Sequence, residues 1–476
     1  MRGDWIFVSW FQRLCGVKNP DGSSVEEETL KALYKRCISI AWPSTVEGVL
    51  ISLVGSVDTM MVGTLGAAAI TAVGLTNQPR MILMVLAQAI CTGTTSICAR
   101  RKGAGNKEAA NSCLMQSLVI VTLLGLLMSL FGFFGSEWIM YLAGANEDTL
   151  GMSADYFRII SMGIPFNCWT MCICAALRAV GDTKVTMRTN VTANLVNVVM
   201  NAILINGLLG FPAMGVRGAA IATFCGAVVS TLMAIASVLK KNGYYHFALP
   251  KFDKVTLEGL FRVGTGSIAE SVCMRIGFFV LARMIAGTGT EAFAAYQIAS
   301  QVTTLSFVLG DGAAIAGTAL VGQSLGAGDK KQAMSCVAVV RRIGVFLSIG
   351  LMILIFALRK PLAMLFTDDP TLIFHVSLSF LVAIVGMMPQ NGRVIYAGCL
   401  RGAGDVKYVA WVALISVAIL RPVITWVFCY LLEAWFPGCY FAILGPWYSF
   451  VLDAYAREWM YKARVKKGKW LDTKLA

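Results

Sequence analysis

Two stretches, GAGNKEAANSC at 103–113 and GAGDKKQAMSC at 326–336, decide the fold because they are copies of one motif placed 223 residues apart. The same offset, without any gap, places LRAVGDTK at 177–184 on LRGAGDVK at 400–407. One constant offset for both motifs indicates that the chain consists of two related halves. A period this long is not that of a solenoid and is typical of the paired halves from which many transporters are built.

The composition places these halves in a membrane. Of the 476 residues 57% are hydrophobic and only 14% are charged, and the mean hydropathy is +0.71, which is more apolar surface than a soluble domain can bury. Runs long enough to cross a bilayer, about 20 residues each, recur at 38–60, 70–98, 112–135, 155–178, 186–209, 216–239, 263–285, 292–322, 334–358, 373–400, 408–431 and 440–461. The sequence therefore predicts an all-α membrane protein of twelve transmembrane helices, six per half.

The distribution of basic residues predicts the orientation of these helices. With an even number of spans per half, the second half enters the membrane from the same side as the first, so the repeats are parallel. If the N-terminus is cytoplasmic, the inner segments together with the adjoining span ends hold 31 of the 40 Lys and Arg residues, as expected for the cytoplasmic side. We predict a multi-pass protein of the cell membrane with both termini cytoplasmic. The net charge of +14 then reflects orientation, and we expect no nucleic-acid partner because no soluble basic domain exists.

The predicted spans divide the chain into five segments. These are a cytoplasmic or interfacial segment at 1–37, a first lobe at 38–239, a cytoplasmic linker at 240–262, a second lobe at 263–461 and a basic cytoplasmic tail at 462–476. The apolar run within 1–37 is too short to span, and no small-residue cleavage site follows it, so we do not expect a signal peptide.

The sequence gives little support for a metal site or for an enzyme active site. Most of the 14 cysteines lie inside apolar spans, where free Cys packs as a small hydrophobe, and no CxxC pair occurs. Only His246 and His375 could supply imidazole. We therefore expect no cofactor and no catalytic residues, and no metal site unless the coupling ion is Na⁺ and it binds at Asp58.

Two carboxylates in the first span are candidates for function, since a charge at the bilayer centre costs about 3 kcal/mol. Glu47 and Asp58 are eleven residues apart, a separation that places both on nearly the same face of a helix. Asp58 could instead be a helix-end carboxylate that reaches the interface, and Glu47 could make an interhelical hydrogen bond. We favour a role in an ion pathway.

The fifth span carries a ladder of amides. Asn190, Asn194, Asn197 and Asn201 recur at i, i+4, i+7 and i+11, which places them within about 60° of the helix circumference. A single buried amide would most simply join helices by a hydrogen bond. Four on one stripe favour a wet cavity that holds a cation or a proton.

The repeat offers an internal comparison for these candidates. At the equivalent positions of the second half, Asp58 becomes Leu281, whereas Glu47 becomes Glu270 and Gln88 becomes Asp311. The four asparagines become apolar residues, namely Ala413, Val417, Leu420 and Ile424. The shared backbone plan does not need Asp58 or the ladder, so we predict a coupling site in the first half and more general roles for Glu47 and Glu270.

The resulting candidates fall into two sets. The predicted cation-coupling residues are Asp58, Asn190, Asn194 and Glu47; the predicted cavity or substrate residues are Asn197, Asn201, Glu270, Gln301 and Asp311. Four arginines also lie within or near spans, where we expect snorkelling or structural pairing; they are Arg158, Arg275, Arg393 and Arg421.

At this point the chain resembles a known family, the multidrug and toxic compound extrusion (MATE) transporters of prokaryotic type. The resemblance covers about residues 43–460 and rests on the order of several motifs. These are PSTVEGVLISLVGSVDTMMVGTLG at 43–66, RRKGAGNKEAA at 100–110, GFPAMGVRGAAIAT at 210–223 and VGQSLGAGDKKQA at 321–333.

The resemblance implies a V-shaped bundle of two six-helix lobes that exports drugs, organic cations or other amphipathic compounds, driven by inward movement of Na⁺ or H⁺. It also implies a helix-bending role for Pro43 and a coupling role for Asp58 with the polar residues of the fifth helix. Two departures from the family pattern stand out. Asn194 stands where related members can carry a second carboxylate, and the span at 373–400 lacks the acid of another branch.

Other functions remain open. The main alternative is a lipid-linked oligosaccharide flippase of the same superfamily, which would favour a cationic cavity; Arg275 and Arg421 keep this alternative open. A membrane-embedded enzyme would need a nucleophile or metal cluster, and a receptor would not explain the duplicated polar halves. We therefore expect a monomeric secondary transporter whose partners are a small-molecule substrate and the lipid bilayer.

Overall fold

The computed structural model describes residues 26–240, 243–249, 252–436 and 438–473 and is helical throughout, without a strand in those ranges. Most of the predicted segment 1–37 and the end of the tail lie outside the described residues. Helices are the expected form for apolar runs of this length, because each backbone N–H and C=O in a bilayer must be paired within the segment.

The first half contains eight helices. They are α1 (Glu27–Gly63), α2 (Ala67–Gly103), α3 (Lys107–Phe134), α4 (Ser136–Leu142), α5 (Glu147–Met162), α6 (Ile164–Val180), α7 (Thr183–Asn206) and α8 (Gly215–Leu239). The second half contains α9 (Lys254–Ala286), α10 (Thr290–Gly326), α11 (Lys330–Met364), α12 (Pro370–Ala403), α13 (Val406–Trp435) and α14 (Phe441–Lys466), followed by a short 3₁₀ turn at Lys469–Asp472.

The helices match the twelve predicted spans. Eight described helices are long and apolar enough to cross a membrane, and the bent pair α5 and α6, at 47° to each other, makes a ninth span. The remaining three spans, α7, α9 and α14, are less apolar because they carry asparagines or charged residues. The prediction of an all-α membrane protein with six spans per half is confirmed.

The described helices form two compact units. The first unit comprises Val46–Thr265, and the second unit comprises the residues up to Thr45 together with those from Gly266 onward. The division falls within α1. The early turns of α1 pack, through buried Leu30, Cys37 and Ile40, in the same core as residues of α10 to α14. The sequence did not indicate this placement, because the apolar run of α1 looks continuous.

The repeated motifs form the same turns in both halves. Gly105 has a φ of +72° and its counterpart Gly328 a φ of +78°, a conformation that side chains disfavour. The residue that follows each glycine caps the next helix, since the side chain of Asn106 accepts from the Ala109 N–H at 2.9 Å and that of Asp329 from the Gln332 N–H at 2.7 Å. The copied motifs therefore encode turns that the backbone needs in each half.

Candidate functional site: a polar cavity in the first unit

A cavity of about 700 Å³ opens between α1, α2, α5, α6, α7 and α8 of the first unit. Its wall combines apolar residues with a set of polar side chains that includes Asp58, Asn77, Arg80, Asn167, Arg178, Asn190, Asn194, Asn197, Asn201 and Thr223. All four asparagines of the ladder line it, so their helical spacing brings these amides to one polar surface. A volume of this size falls in the range of about 300–1,000 Å³ that is usual for small-molecule sites.

Asp58 is held at this wall by amides of the ladder. The Asn201 side chain donates from Nδ2 to Asp58 Oδ1 at 2.8 Å. In the amide orientation that satisfies both of its ends, Asn197 donates to Oδ1 at 2.9 Å and to Oδ2 at 3.0 Å, and its oxygen accepts from the Thr223 N–H at 3.1 Å. The carboxylate therefore accepts three N–H bonds, an arrangement that suits its ionised form.

The first unit supplies no arginine or lysine partner to Asp58 among its described residues. Its ion pairs there engage other carboxylates. The Asn201 Oδ1 atom is buried and has no hydrogen-bond partner in the described part of the chain. One carboxylate and one spare amide oxygen at the same place form an arrangement that can take up a proton or a cation.

Glu47 has a different environment. The residue is 3% exposed, and its carboxylate accepts from Arg178 Nη2 at 2.5 Å, from Asn190 Nδ2 at 2.6 Å and from Thr186 Oγ1 at 3.3 Å. The Asn194 amide donates to the carbonyl of Asn190 at 2.9 Å within its own helix. The ladder is thus divided: Asn190 donates to Glu47, whereas Asn197 and Asn201 donate to Asp58.

The second unit repeats the Glu47 pair but not the Asp58 site. Glu270 accepts from Arg401 at 2.6 Å, and both residues lie at the positions equivalent to Glu47 and Arg178. The arginines belong to the repeated motifs LRAVGDTK and LRGAGDVK. An ion pair between Glu and Arg that is present in both halves fits a role in the common scaffold. Asp58 and the asparagines that donate to it occur in the first half and not at the equivalent positions of the second.

The other predicted residues lie apart from this cavity. Gln301 and Asp311 are on α10 of the second unit, with exposed side chains. Pro43 lies inside α1 without ending it, and its bending role stays a prediction. In the described parts of the chain, no three His, Cys, Asp or Glu side chains gather as metal ligands.

Sequence reasoning missed Arg80. This half-buried side chain lines the cavity from α2, and no described residue forms an ion pair or hydrogen bond with it. A signal existed, because Arg80 is the one basic residue inside the apolar run at 70–98. A charge at such a place indicates a function by default. The cavity therefore presents a carboxylate and a guanidinium.

The fold and the cavity together define a class: a multi-pass membrane protein built from two related helical units. The MatE family model matches residues 43–203 and again 267–427, each match covering one half. The chain belongs to the MatE family, and the resemblance drawn from the motifs is confirmed.

Curated relatives and solved structures agree with this placement. The chain is 26% identical over 449 residues to "Probable multidrug resistance protein NorM" of Thermotoga maritima, covering 93% of this chain and 94% of that protein. It is 24% identical over 391 residues to "Multidrug resistance protein MdtK" of Pectobacterium atrosepticum, covering 81% and 85%. A solved structure described as the outward-facing conformation of a multidrug resistance MATE family transporter matches the fold with a TM-score of 0.84 at 22% identity, over 92% of this chain and 97% of that one.

Proposed function

We propose that the protein exports amphipathic small molecules across the cell membrane in exchange for H⁺ or Na⁺. The observation that carries this proposal is the cavity of the first unit, in which Asp58 lies among amides and has no basic partner in the described residues. The names of the curated relatives supply the multidrug class. A secondary transporter needs a group that can bind the coupling ion and that faces the substrate path, and the position of Asp58 at the cavity wall supports this role for it.

The hydrogen bonds at Asp58 suggest how ion binding changes the cavity. Protonation of Asp58 replaces one acceptor position of the carboxylate by an O–H donor and removes its negative charge. The three amide N–H groups then share fewer and weaker acceptor positions, which favours a rearrangement of the Asn197 and Asn201 side chains. A Na⁺ ion would likewise draw amide oxygens, not amide nitrogens, toward the carboxylate. Either ion rearranges the wall that a substrate contacts, so ion and substrate exclude one another.

We place the coupling site at Asp58, Asn197 and Asn201, with Asn194 beside it. The Glu47 carboxylate accepts hydrogen bonds from Arg178 and from Asn190. These bonds support a scaffold role for Glu47 and Asn190. The substrate path is the cavity itself. Because it also presents Arg80, we expect it to accept molecules that carry a cationic and an acidic or dipolar group as well as simple cations.

We propose further that access to the cavity alternates between the two sides of the membrane, that both termini are cytoplasmic and that the protein acts as a monomer. The orientation rests on the 31 of 40 basic residues in the inner segments and the adjoining span ends. Labelling of single cysteines placed at Lys240 and Asp368 in a variant without reactive native cysteines, from each side of the membrane, tests it.

The test of the function is dye export from proteoliposomes under a pH gradient and a Na⁺ gradient applied separately. We expect export of a fluorescent amphipathic cation under one gradient, and loss of gradient-driven export in Asp58→Asn. The matched control is Asp155→Asn, which makes the same chemical change at a carboxylate paired with Arg217 at 2.6 Å outside the cavity. Unchanged export in Asp58→Asn would refute the coupling assignment.

Transport of the dye under neither gradient would favour the flippase alternative. In that case the same vesicles, loaded with a fluorescent lipid-linked oligosaccharide, would show movement of the lipid between leaflets. The cavity does not favour this outcome, since the described residues of its lining include two arginines, and one of them, Arg178, is neutralised by Glu47.

A further inference from the structure

A cluster of buried charges lies in the second unit, away from the positions that the repeat shares. Arg393 of α12, Arg421 of α13 and Asp453 and Arg457 of α14 have exposed fractions of 6%, 4%, 0% and 2%. All three guanidinium groups interact electrostatically with the Asp453 carboxylate. Of the two expectations for Arg393 and Arg421, snorkelling or structural pairing, snorkelling does not fit, because both side chains are buried.

The hydrogen bonds of the cluster use only part of its capacity. Asp453 accepts from Arg457 Nη2 on one oxygen and from Ser416 Oγ on the other, and Arg393 Nε donates to Gln390 Oε1 at 2.6 Å. Buried donors without a partner among the described residues are Arg393 Nη2, Arg421 Nε and Nη1, Arg457 Nε and Gln390 Nε2. The Arg421 guanidinium otherwise lies over the rings of Phe278 and Phe450, at 5.3 Å and 5.7 Å from their centroids.

The charges do not balance. Three guanidinium groups, which stay protonated in proteins, face one carboxylate. The neighbouring carboxylates do not make up the difference, because Glu270 is paired with Arg401 and Glu458 with Arg341. An uncompensated buried charge is strongly unfavourable. Water could accept from the spare N–H groups but would bring no negative charge.

We infer that the cluster of Arg393, Arg421, Arg457 and Asp453 is a binding site for a small monovalent anion. The spare N–H groups of the arginines would donate to it, and its charge would offset part of the excess. The enclosure of all four side chains favours a chloride ion or a single carboxylate over a larger phosphate ester. The local backbone supports a special role, since Arg421 lies between two π-helical segments, Leu414–Leu420 and Val427–Leu432, and π turns are frequent at functional sites.

This site does not depend on the proposed export function. It is separate from the first-unit cavity, and the purified full-length chain can be tested for it without any transported substrate. A bound anion stabilises the folded state in proportion to the logarithm of its concentration once that exceeds the dissociation constant.

The experiment measures the unfolding temperature of the purified protein at constant ionic strength. Sodium isethionate, a bulky sulfonate, is replaced stepwise by sodium chloride in one series and by sodium acetate in another. In at least one series we expect an upward shift that becomes linear in the logarithm of the anion concentration above a defined dissociation constant. A shift with chloride alone indicates a halide site; a shift with both indicates that a carboxylate also fits. No shift with either anion would overturn the inference.

Variants and a direct measurement locate the site. Arg421→Gln should lose the anion-dependent shift, whereas Arg158→Gln, which removes an arginine paired with Glu137 at the first unit, should keep it. An identical shift in Arg421→Gln and the unaltered protein would refute the assignment. If Arg421→Gln does not fold, the site is tested with crystals of the unaltered protein grown in bromide. An anomalous peak beside Arg421 and Arg393 would support the site. Bromide found only elsewhere, or no bromide peak, would refute it.

Discussion

The Glu47→Gln substitution separates a scaffold role from a coupling role. Glu47 is 3% exposed, and the side chain of its partner Arg178 is 27% exposed. Removing one partner of a fully buried ion pair costs about 3–5 kcal/mol, and a hydrogen bond to a charged group contributes about 1.5–3 kcal/mol. Because Arg178 also faces the cavity, water can compensate part of its charge. We therefore expect a loss of about 2–3 kcal/mol, which is roughly 30-fold to 150-fold in the unfolding equilibrium.

The loss can be measured by titrating the purified protein with sodium dodecyl sulfate in mixed micelles and following tryptophan fluorescence. Glu270→Gln is the matched variant in the second unit. It should cost less, about 1.5–2 kcal/mol, because Glu270 and Arg401 are 16% and 33% exposed. Folded Glu47→Gln protein should retain ion-driven dye export. Unchanged stability together with lost coupling would refute the scaffold role and would return Glu47 to the ion pathway.

Three further predictions test the site and the scaffold. Asn201→Leu, which installs an apolar residue as in the second half, should abolish gradient-driven export measured in proteoliposomes while the protein stays folded by size-exclusion chromatography; full export would contradict the role of the ladder. Asn106→Ala should lower stability by about 1 kcal/mol in the detergent titration, and no loss would show that the cap is dispensable. Gly402→Ala should destabilise strongly, because its new Cβ would lie 2.3 Å from the Thr318 carbonyl oxygen; Gly350→Ala, which meets nothing within 4 Å, should not, and equal effects would refute the packing argument.

Much of the fold could be predicted because it depends on local properties of the chain. The lengths of the apolar runs set the spans, and the glycines and caps at 105–106 and 328–329 set the turns between them. The position of the ladder on one face follows from helical spacing. Arg80 could have been predicted as the one basic residue of an apolar run. A single charge changes the average hydropathy of that run little, so the average does not reveal it.

The partners of the polar residues could not be predicted. Glu47 and Asp58 look equivalent along α1, because both lie on one helix face. Only the packing of α6 against this region gives Glu47 an arginine, and only the later turns of α7 bring amides to Asp58.

By itself the sequence determined that the chain crosses the membrane in two related halves and that Asp58 and the asparagine ladder belong to the first half alone. These conclusions rest on hydropathy, helical period and the internal repeat, which are properties of residues near one another or at a fixed offset. The tertiary structure alone decided which carboxylate is neutralised, that Arg80 shares a cavity with Asp58, and that three arginines of the second unit surround one aspartate. The reason is physical: the charge state and hydrogen bonding of a buried group depend on neighbours that other helices contribute from more than a hundred residues away, as Arg178 does for Glu47.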